Sequence, residues 1–356
     1  MATEQHAQVA LLDLTYSELL QFVLSLGEPA YRADQLYGWL YRFPASRFEE
    51  MLSLPQSLRQ RLLESAGLRL VTPLEKVSSA SGLARKVLFC LRDGETIESV
   101  LLLYDRRRSV CVSTQVGCPV GCPFCATGQS GFVRNLSPGE IVDQVLFFAR
   151  QLKEQGQELT HVVFMGMGEP LLNYDATWQA VETLHDPQGF NLGARRMTIS
   201  TAGVVPGIER LAGEALQVGL AISLHAPTDA LRRKLVPISS RYPLGQLMAA
   251  CERYAKCTGR RVTFEYALIQ GVNDSLEQAR LLAALLSGLL CHVNLIPLNP
   301  TADSEWQPSS PVQVSAFNEE LRGSRINSTV RVRRGMSIEA GCGQLRSRRA
   351  PTAGQL

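Results

Sequence analysis

The sequence predicts an α/β protein: a partial (β/α)6 TIM-like barrel, preceded by a small helical accessory domain and a β extension. Three patterns carry that prediction. From about residue 109, six short apolar β-rich runs alternate with helical stretches. Residues 11–66 show apolar residues at helical spacing only. Residues 68–103 alternate as successive strands with no helix between them.

Residues 11–27, LLDLTYSELLQFVLSLG, start after Thr15 and Ser17 and stop at Gly27, as a short helix would. YRADQLYGWLYRF (31–43) and LPQSLRQRLLESAGL (54–68) read the same way. The strands LRLVTPLEKVSS, ARKVLFCLRD and TIESVLLLY follow, with Arg92-Asp93-Gly94-Glu95 as a hairpin turn. The later runs are 109–116, 161–166, 196–201, 219–225, 262–269 and 292–298. Helical stretches lie between them at 138–155, 176–184, 244–255 and 276–290. Short buried strands joined by helices make a parallel sheet with right-handed crossovers. Six units are too few to close an eight-stranded barrel, and ligands should collect at the C-terminal strand ends. The expected organisation is a helical accessory domain over 1–67, a β extension over 68–104, the core over 105–335 and a tail over 336–356.

The 356 residues are 45% apolar and 19% charged, which supports a sizeable core and excludes general disorder. No run reaches the roughly 20 apolar residues of a membrane span, and the start lacks a basic signal-peptide region. A cytoplasmic, membrane-free protein is expected. The net charge of +3 is uneven. Residues 1–66 hold eight acids against five arginines, a balance of −3. Residues 322–349 hold eight arginines (322, 325, 331, 333, 334, 346, 348, 349) against Glu339, a balance of +7. Such a stretch can contact phosphates, although an arginine-rich solvated surface reads the same way.

Nine cysteines, an odd number, argue against a disulfide scaffold. Three stand together on the first βα loop as Cys118, Cys122 and Cys125, a C-x3-C-x2-C spacing. Zinc would require a fourth ligand, and the nearest histidine in sequence is His161. A [4Fe–4S] cluster on three cysteines instead leaves one iron open for a small molecule.

This loop resembles the signature of the radical S-adenosylmethionine enzymes, whose core is a six-unit partial barrel. CVSTQVGCPVGCPFCATGQSGFVRNL, HVVFMGMGEPLLN, ISLHAPTDALRRKLVPI, HVNLIPLNP and the terminal GCGQL together resemble the RNA adenine methyltransferases that modify C2 of a 23S rRNA adenine. The resemblance runs from about residue 85 to 346, and the helical module before it fits that family's accessory domain. It implies a cluster on Cys118, Cys122 and Cys125 that binds S-adenosylmethionine and yields a deoxyadenosyl radical. It further implies 23S rRNA as substrate with tRNA beside it, a monomer, and an electron donor such as a flavodoxin or ferredoxin.

The resemblance also assigns roles. Cys342 matches the cysteine that takes a methyl group from one S-adenosylmethionine. A hydrogen then leaves that methyl, and the carbon radical adds to the base. Cys111 matches the resolving cysteine, which forms a transient disulfide with Cys342 and frees the product. Glu98 matches the proton acceptor. Gly168, Glu169, Ser200, Ser223, Leu224, His225 and Asn299 match the S-adenosylmethionine contacts. By residue type alone, Cys111 could be a packing cysteine, Cys342 an inert thiol, Glu98 a solvated strand position and His225 a structural histidine. Arg134 and Asn135 are candidate RNA contacts. A related C8-specific adenine methyltransferase of the antibiotic-resistance type shares these motifs, and a non-catalytic metal-cluster RNA-binding protein is the reading from another class.

Overall fold

The computed structural model describes residues 8–301, 304–331, 338–341 and 343–345. A short strand β1 (Val9–Ala10) leads into α1 (Tyr16–Ser25). Thr15 and Glu18 form a reciprocal cap: Glu18 N–H donates to the Thr15 hydroxyl, and Thr15 N–H donates to the Glu18 carboxylate at 2.8 Å. Helix α2 (Tyr31–Tyr37) widens into one π-turn over Gly38–Arg42, and α3 (Gln56–Ser65) completes the three expected helices. Strand β2 (Ala66–Gly67) returns to pair in parallel with β1, which closes the module.

β3 (Val71–Ser78), β4 (Ala84–Leu91) and β5 (Thr96–Leu103) form an antiparallel meander. At its expected turn Leu91 N–H donates to Glu95 O at 2.8 Å. Next comes β6 (Arg108–Cys111). The run expected as one strand over 109–116 is split, because Ser113 and Thr114 turn out of the sheet. Ser113 N–H donates there to the buried Gln144 side chain at 2.8 Å. The remainder, β7 (Gln115–Gly117), pairs with β8 (Phe132–Asn135) as a separate hairpin that carries the three-cysteine loop. The core strands then follow as β9 (His161–Phe164), β10 (Met197–Thr201), β11 (Gly219–Ser223), β12 (Val262–Leu268), β13 (Cys291–Pro297) and β14 (Ser328–Val330).

The main sheet has ten strands in the order β3-β4-β5-β6-β9-β10-β11-β12-β13-β14. The seven from β6 to β14 are parallel neighbours, and β5 joins β6 antiparallel. The meander therefore extends the barrel wall itself, and the sheet ends on two separate edge strands, as a partial barrel does. The helices are α4 (Ala126–Gln129), α5 (Pro138–Glu154), α6 (Tyr174–His185), α7 (Val205–Ala212), α8 (Asp229–Leu235), α9 (Leu244–Thr258), α10 (Leu276–Leu286) and α11 (Pro311–Gly323). α4, α7, α8, α11 and β14 are additions to the sequence pattern. They are short, proline-started or arginine-rich, and their periodicity is too brief to stand out.

Helix α5 is the structural hub. Ser137 and Glu140 form its capping box, and Pro138 occupies its first turn. Its buried Asp143 accepts from Leu70 N–H at 2.8 Å and Val71 N–H at 3.1 Å, and pairs with Arg150 at 3.1 Å. Gly139 N–H donates to Asp13 of the module at 2.9 Å, and the Tyr37 hydroxyl donates to Asp186 at 2.7 Å. One continuous apolar core runs from Leu36 and Leu58 through Phe89 and Phe148 to Val110 and Leu220.

Candidate active site

The three-cysteine loop is shaped by the β7–β8 hairpin. Gly117 has φ +73°, and a Cβ there would lie 2.0 Å from Gly131 O, so only glycine permits the closure. Cys118 N–H donates to that same carbonyl at 2.7 Å. The Cys118 sulfur receives backbone N–H groups from Val120 and Gly121. Cys125 N–H donates to Cys122 O at 3.1 Å, and α4 begins at the next residue. All three cysteines pack with Val120, Phe124 and Leu298 in a small apolar cluster.

Burial pushes the Cys118 thiol up to about 12 and the Cys122 thiol well above the ordinary range. Neighbouring thiols and Glu169 add to both shifts. Crowded thiols of this kind become thiolates when a cationic metal core binds them, so the donor set fits an iron–sulfur cluster. Among the described residues no three His, Cys, Asp or Glu side chains are grouped to hold a single metal ion. In a cubane each thiolate binds its own iron, so the sulfurs need not converge on one point.

A cavity of about 210 Å³ opens beneath the loop, at the C-terminal ends of the parallel strands. Cys118, Cys122 and Cys125 line one side, and Cys111, Gly168, Glu169, Ser200, Ser223, His225 and Asn299 line the strand side. Gly168 has φ +102°, with Gln115 atoms where a Cβ would stand. Glu169 is buried, its oxygens accepting from Leu171 N–H at 3.1 Å and Ala202 N–H at 2.6 Å. Burial raises its pKa to about 7 against those hydrogen bonds. His225 has φ +59°, and its Nδ1 accepts from Ala267 N–H at 3.0 Å, which leaves the ring proton on Nε2. Burial, and secondarily the Arg232 charge, pulls its pKa down to about 3, so the imidazole is neutral. The Phe124 ring stands edge-on to it at 4.9 Å.

The tail returns over the cavity. Ala126 N–H donates to Gly343 O at 2.7 Å, the Thr127 hydroxyl donates to Leu345 O at 2.6 Å, and Gln344 Nε2 donates to Pro300 O at 3.1 Å. Gly341 and Gly343 line the cavity. Cys342 lies outside the described residues, as do Arg333, Arg334, Arg346, Arg348 and Arg349.

Two expected site residues are not on the cavity wall. Leu224 is fully buried and offers only its backbone, with N–H donating to Glu265 O at 3.0 Å. Glu98 is buried in β5 two residues before Val100 and four before Leu102, which do line the cavity, and it pairs with Lys86 at 3.0 Å. Arg134 and Asn135 are engaged internally: Arg134 with Asp93 at 2.6 Å and Glu140 at 2.8 Å, Asn135 with Gln115 at 2.8 Å. One wall residue escaped the sequence reading. Glu265 is buried in β12, accepts from Asn294 Nδ2 at 2.9 Å, and lies 3.6 Å from Arg331. Burial raises its pKa against the pull of Arg331. A single carboxylate inside the apolar run VTFEYALI was the available signal.

Comparison with known proteins fits this geometry. Residues 112–283 match the radical SAM superfamily, and residues 9–68 match the ribosomal RNA large subunit methyltransferase N-terminal domain. A Chloroflexus aurantiacus protein named as a probable dual-specificity RNA methyltransferase RlmN is 51% identical, over 96% of this chain and 93% of its own. A Desulforamulus reducens protein of the same name is 48% identical, over 98% and 99%. The crystal structure of a radical SAM methyltransferase from Sphaerobacter thermophilus superposes with a TM-score of 0.93 at 53% identity, covering 95% of this chain and 99% of that one. With its cysteine loop, its open barrel and its accessory module all matched, the chain belongs to the RlmN family of radical SAM RNA methyltransferases.

Proposed function

We propose that this enzyme methylates C2 of an adenine in 23S rRNA and of an anticodon-loop adenine in tRNA, using two S-adenosylmethionine molecules for each product. The observation that carries the reading is convergence. One cavity of about 210 Å³ gathers the three loop cysteines, Cys111 and the glycines on either side of Cys342. Relatives about half identical over nearly the whole chain are named as dual-specificity RNA methyltransferases.

Cys118, Cys122 and Cys125 hold a [4Fe–4S] cluster, and Gly168, Glu169, Ser200, Ser223, Leu224, His225 and Asn299 form the S-adenosylmethionine site. Once bound, that pair supplies the radical chemistry that an electron-poor aromatic carbon requires. Glu169, aimed by two backbone N–H groups, accepts from the ligand ammonium. His225, held neutral, offers an Nε2 donor. Cys342 carries the methyl carbon to the base; the Cys111 thiolate then attacks the Cys342 sulfur, so that the S–S bond forms as the S–C bond breaks, and the carbon keeps the electron pair and takes a proton to become the product methyl group. Glu98 takes the proton lost from C2, with Lys86 holding its charge. A base reaches such a cavity only when unpaired or extruded. The same reading makes the enzyme a cytoplasmic monomer fed by a flavodoxin or ferredoxin. No helix among the described residues is long and apolar enough to cross a membrane.

The test is nucleoside mass spectrometry on unmodified 23S rRNA fragments and tRNA after anaerobic incubation with reconstituted enzyme, S-adenosylmethionine and reductant. 2-Methyladenosine is expected with wild type and none with Cys342→Ala. 8-Methyladenosine would transfer the specificity to C8. A colourless protein, or an EPR signal indifferent to S-adenosylmethionine, would favour a structural metal site.

A further inference from the structure

Arg232, in α8, is fully buried. Its guanidinium faces backbone carbonyls at the ends of two core strands: Nη2 donates to Ala202 O at 2.6 Å and reaches Ser223 O at 3.4 Å, and Nε donates to Leu224 O at 3.2 Å. Nη1 is buried and has no hydrogen-bond partner among the described residues. No carboxylate pairs with this arginine among the described residues. Its α8 neighbours Leu231 and Leu235 belong to the same apolar cluster as the three cysteines.

Holding three strand-end carbonyls requires donors but no charge, and a buried charge without a counter-ion is costly. A neutral side chain would serve the clamp alone. The unpartnered Nη1 of a buried cation, on a helix whose Leu231 and Leu235 pack with the three cysteines, therefore calls for an anionic neighbour. A cubane held by three thiolates is one, and each added electron makes it more negative.

We propose that Arg232 is the electrostatic partner of the cluster, supplying a fixed buried cation beside the cysteine loop that favours the reduced state. The proposal rests on the cluster assignment above. A nearby cation stabilises the more negative redox state and so raises the reduction potential. Burial lowers the Arg232 pKa only to about 10, so the guanidinium remains charged at neutral pH.

The experiment is a redox titration of the reconstituted enzyme, followed by EPR of the reduced cluster, for wild type, Arg232→Gln and Arg232→Lys. Arg232→Gln keeps donors for the carbonyls but removes the charge. At equal iron and sulfide content, it is expected to hold at least tenfold less reduced cluster at a fixed potential, 59 mV for a one-electron couple. Arg232→Lys keeps the charge and is expected to shift by less than half of that. An unchanged potential in Arg232→Gln, or equal shifts in both variants, would overturn the proposal. If the variants fail to fold, wild type labelled with 15N-arginine answers instead. Hyperfine coupling of guanidinium nitrogen to the reduced cluster is expected, and its absence would remove Arg232 from the cluster. Failure of wild type to assemble any cluster would defeat the underlying assignment, which is a separate outcome.

Discussion

His225 shows how burial sets a residue's chemistry at this cavity. An unfolded histidine titrates near 6.5, whereas the folded ring titrates at about 3. Its stabilising contribution is therefore complete above pH 6.5 and shrinks as pH falls from 6.5 toward 3. Asparagine tolerates the φ of +59° and keeps an acceptor for Ala267 N–H. Between pH 7 and 4.5 the urea midpoint of wild type should consequently fall further than that of His225→Asn, and equal falls would contradict the assignment. Glu169 runs the other way. Its pKa is raised to about 7, so ionising it costs stability as pH rises from 4.5 to 7, until a ligand ammonium restores a partner. A charge-assisted hydrogen bond contributes about 1.5–3 kcal/mol. Glu169→Gln should thus weaken S-adenosylmethionine binding by about tenfold to a hundredfold by calorimetry, and an unchanged Kd would take Glu169 out of that site. Both residues are marked in the sequence by the resemblance, through the motifs GMGEP and SLHAP that contain them. The burial of Arg232 could not be read there: it depends on carbonyls from two other strands, and LRRKL reads as a solvated turn of helix.

At the level of elements, the cysteine loop works because a hairpin, not the main sheet, carries it. The sequence showed the spacing of the three thiols, but one run concealed the break at Ser113 and Thr114. The β4–β5 pair is the clearest departure from pattern reading. In ARKVLF and TIESVLL, alternation assigns Lys86 and Glu98 to a solvated face, yet both are buried and 3.0 Å apart. The reason lies in the tertiary structure. These strands continue the barrel sheet, and the returning tail covers them, with Lys86 Nζ donating to Glu339 O at 3.3 Å. Removing one member of a buried pair leaves an uncompensated charge, at a cost of about 3–5 kcal/mol. Glu98→Leu, which leaves the buried Lys86 ammonium with no carboxylate among the described residues, should therefore destabilise the protein by about that much in urea denaturation at pH 7. The double variant Lys86→Met/Glu98→Leu should recover part of the loss. A single variant as stable as wild type would mean that the pair is not coupled in the folded protein.

Across the whole molecule, the sequence divides by pattern into four segments, while the packing joins all four, the tail through Ala340 and Leu345. Helical spacing, strand alternation and βα repetition are local signals, and each changes near residues 67 and 104. The apolar core ignores those changes: Leu36, Leu58, Phe89, Val110 and Phe148 belong to one cluster. Polar ties also cross the boundary, from Asp13 to α5 and from Tyr37 to Asp186 beyond α6. Burial of this kind couples the stability of neighbouring segments, so the helical module should melt with the barrel rather than before it. Leu58 is fully buried in α3, and Leu58→Ala should remove about 2–5 kcal/mol. The informative measurement is where that loss is felt. Trp39 reports on the module and Trp306 on the apolar cluster that holds the cysteines. In proteins that retain one tryptophan or the other, the denaturation curves for Trp39 and Trp306 should coincide, and Leu58→Ala should move both by the same amount. An early transition at Trp39 alone, with Trp306 unmoved, would show that the module folds as a separate unit on a barrel that does not need it.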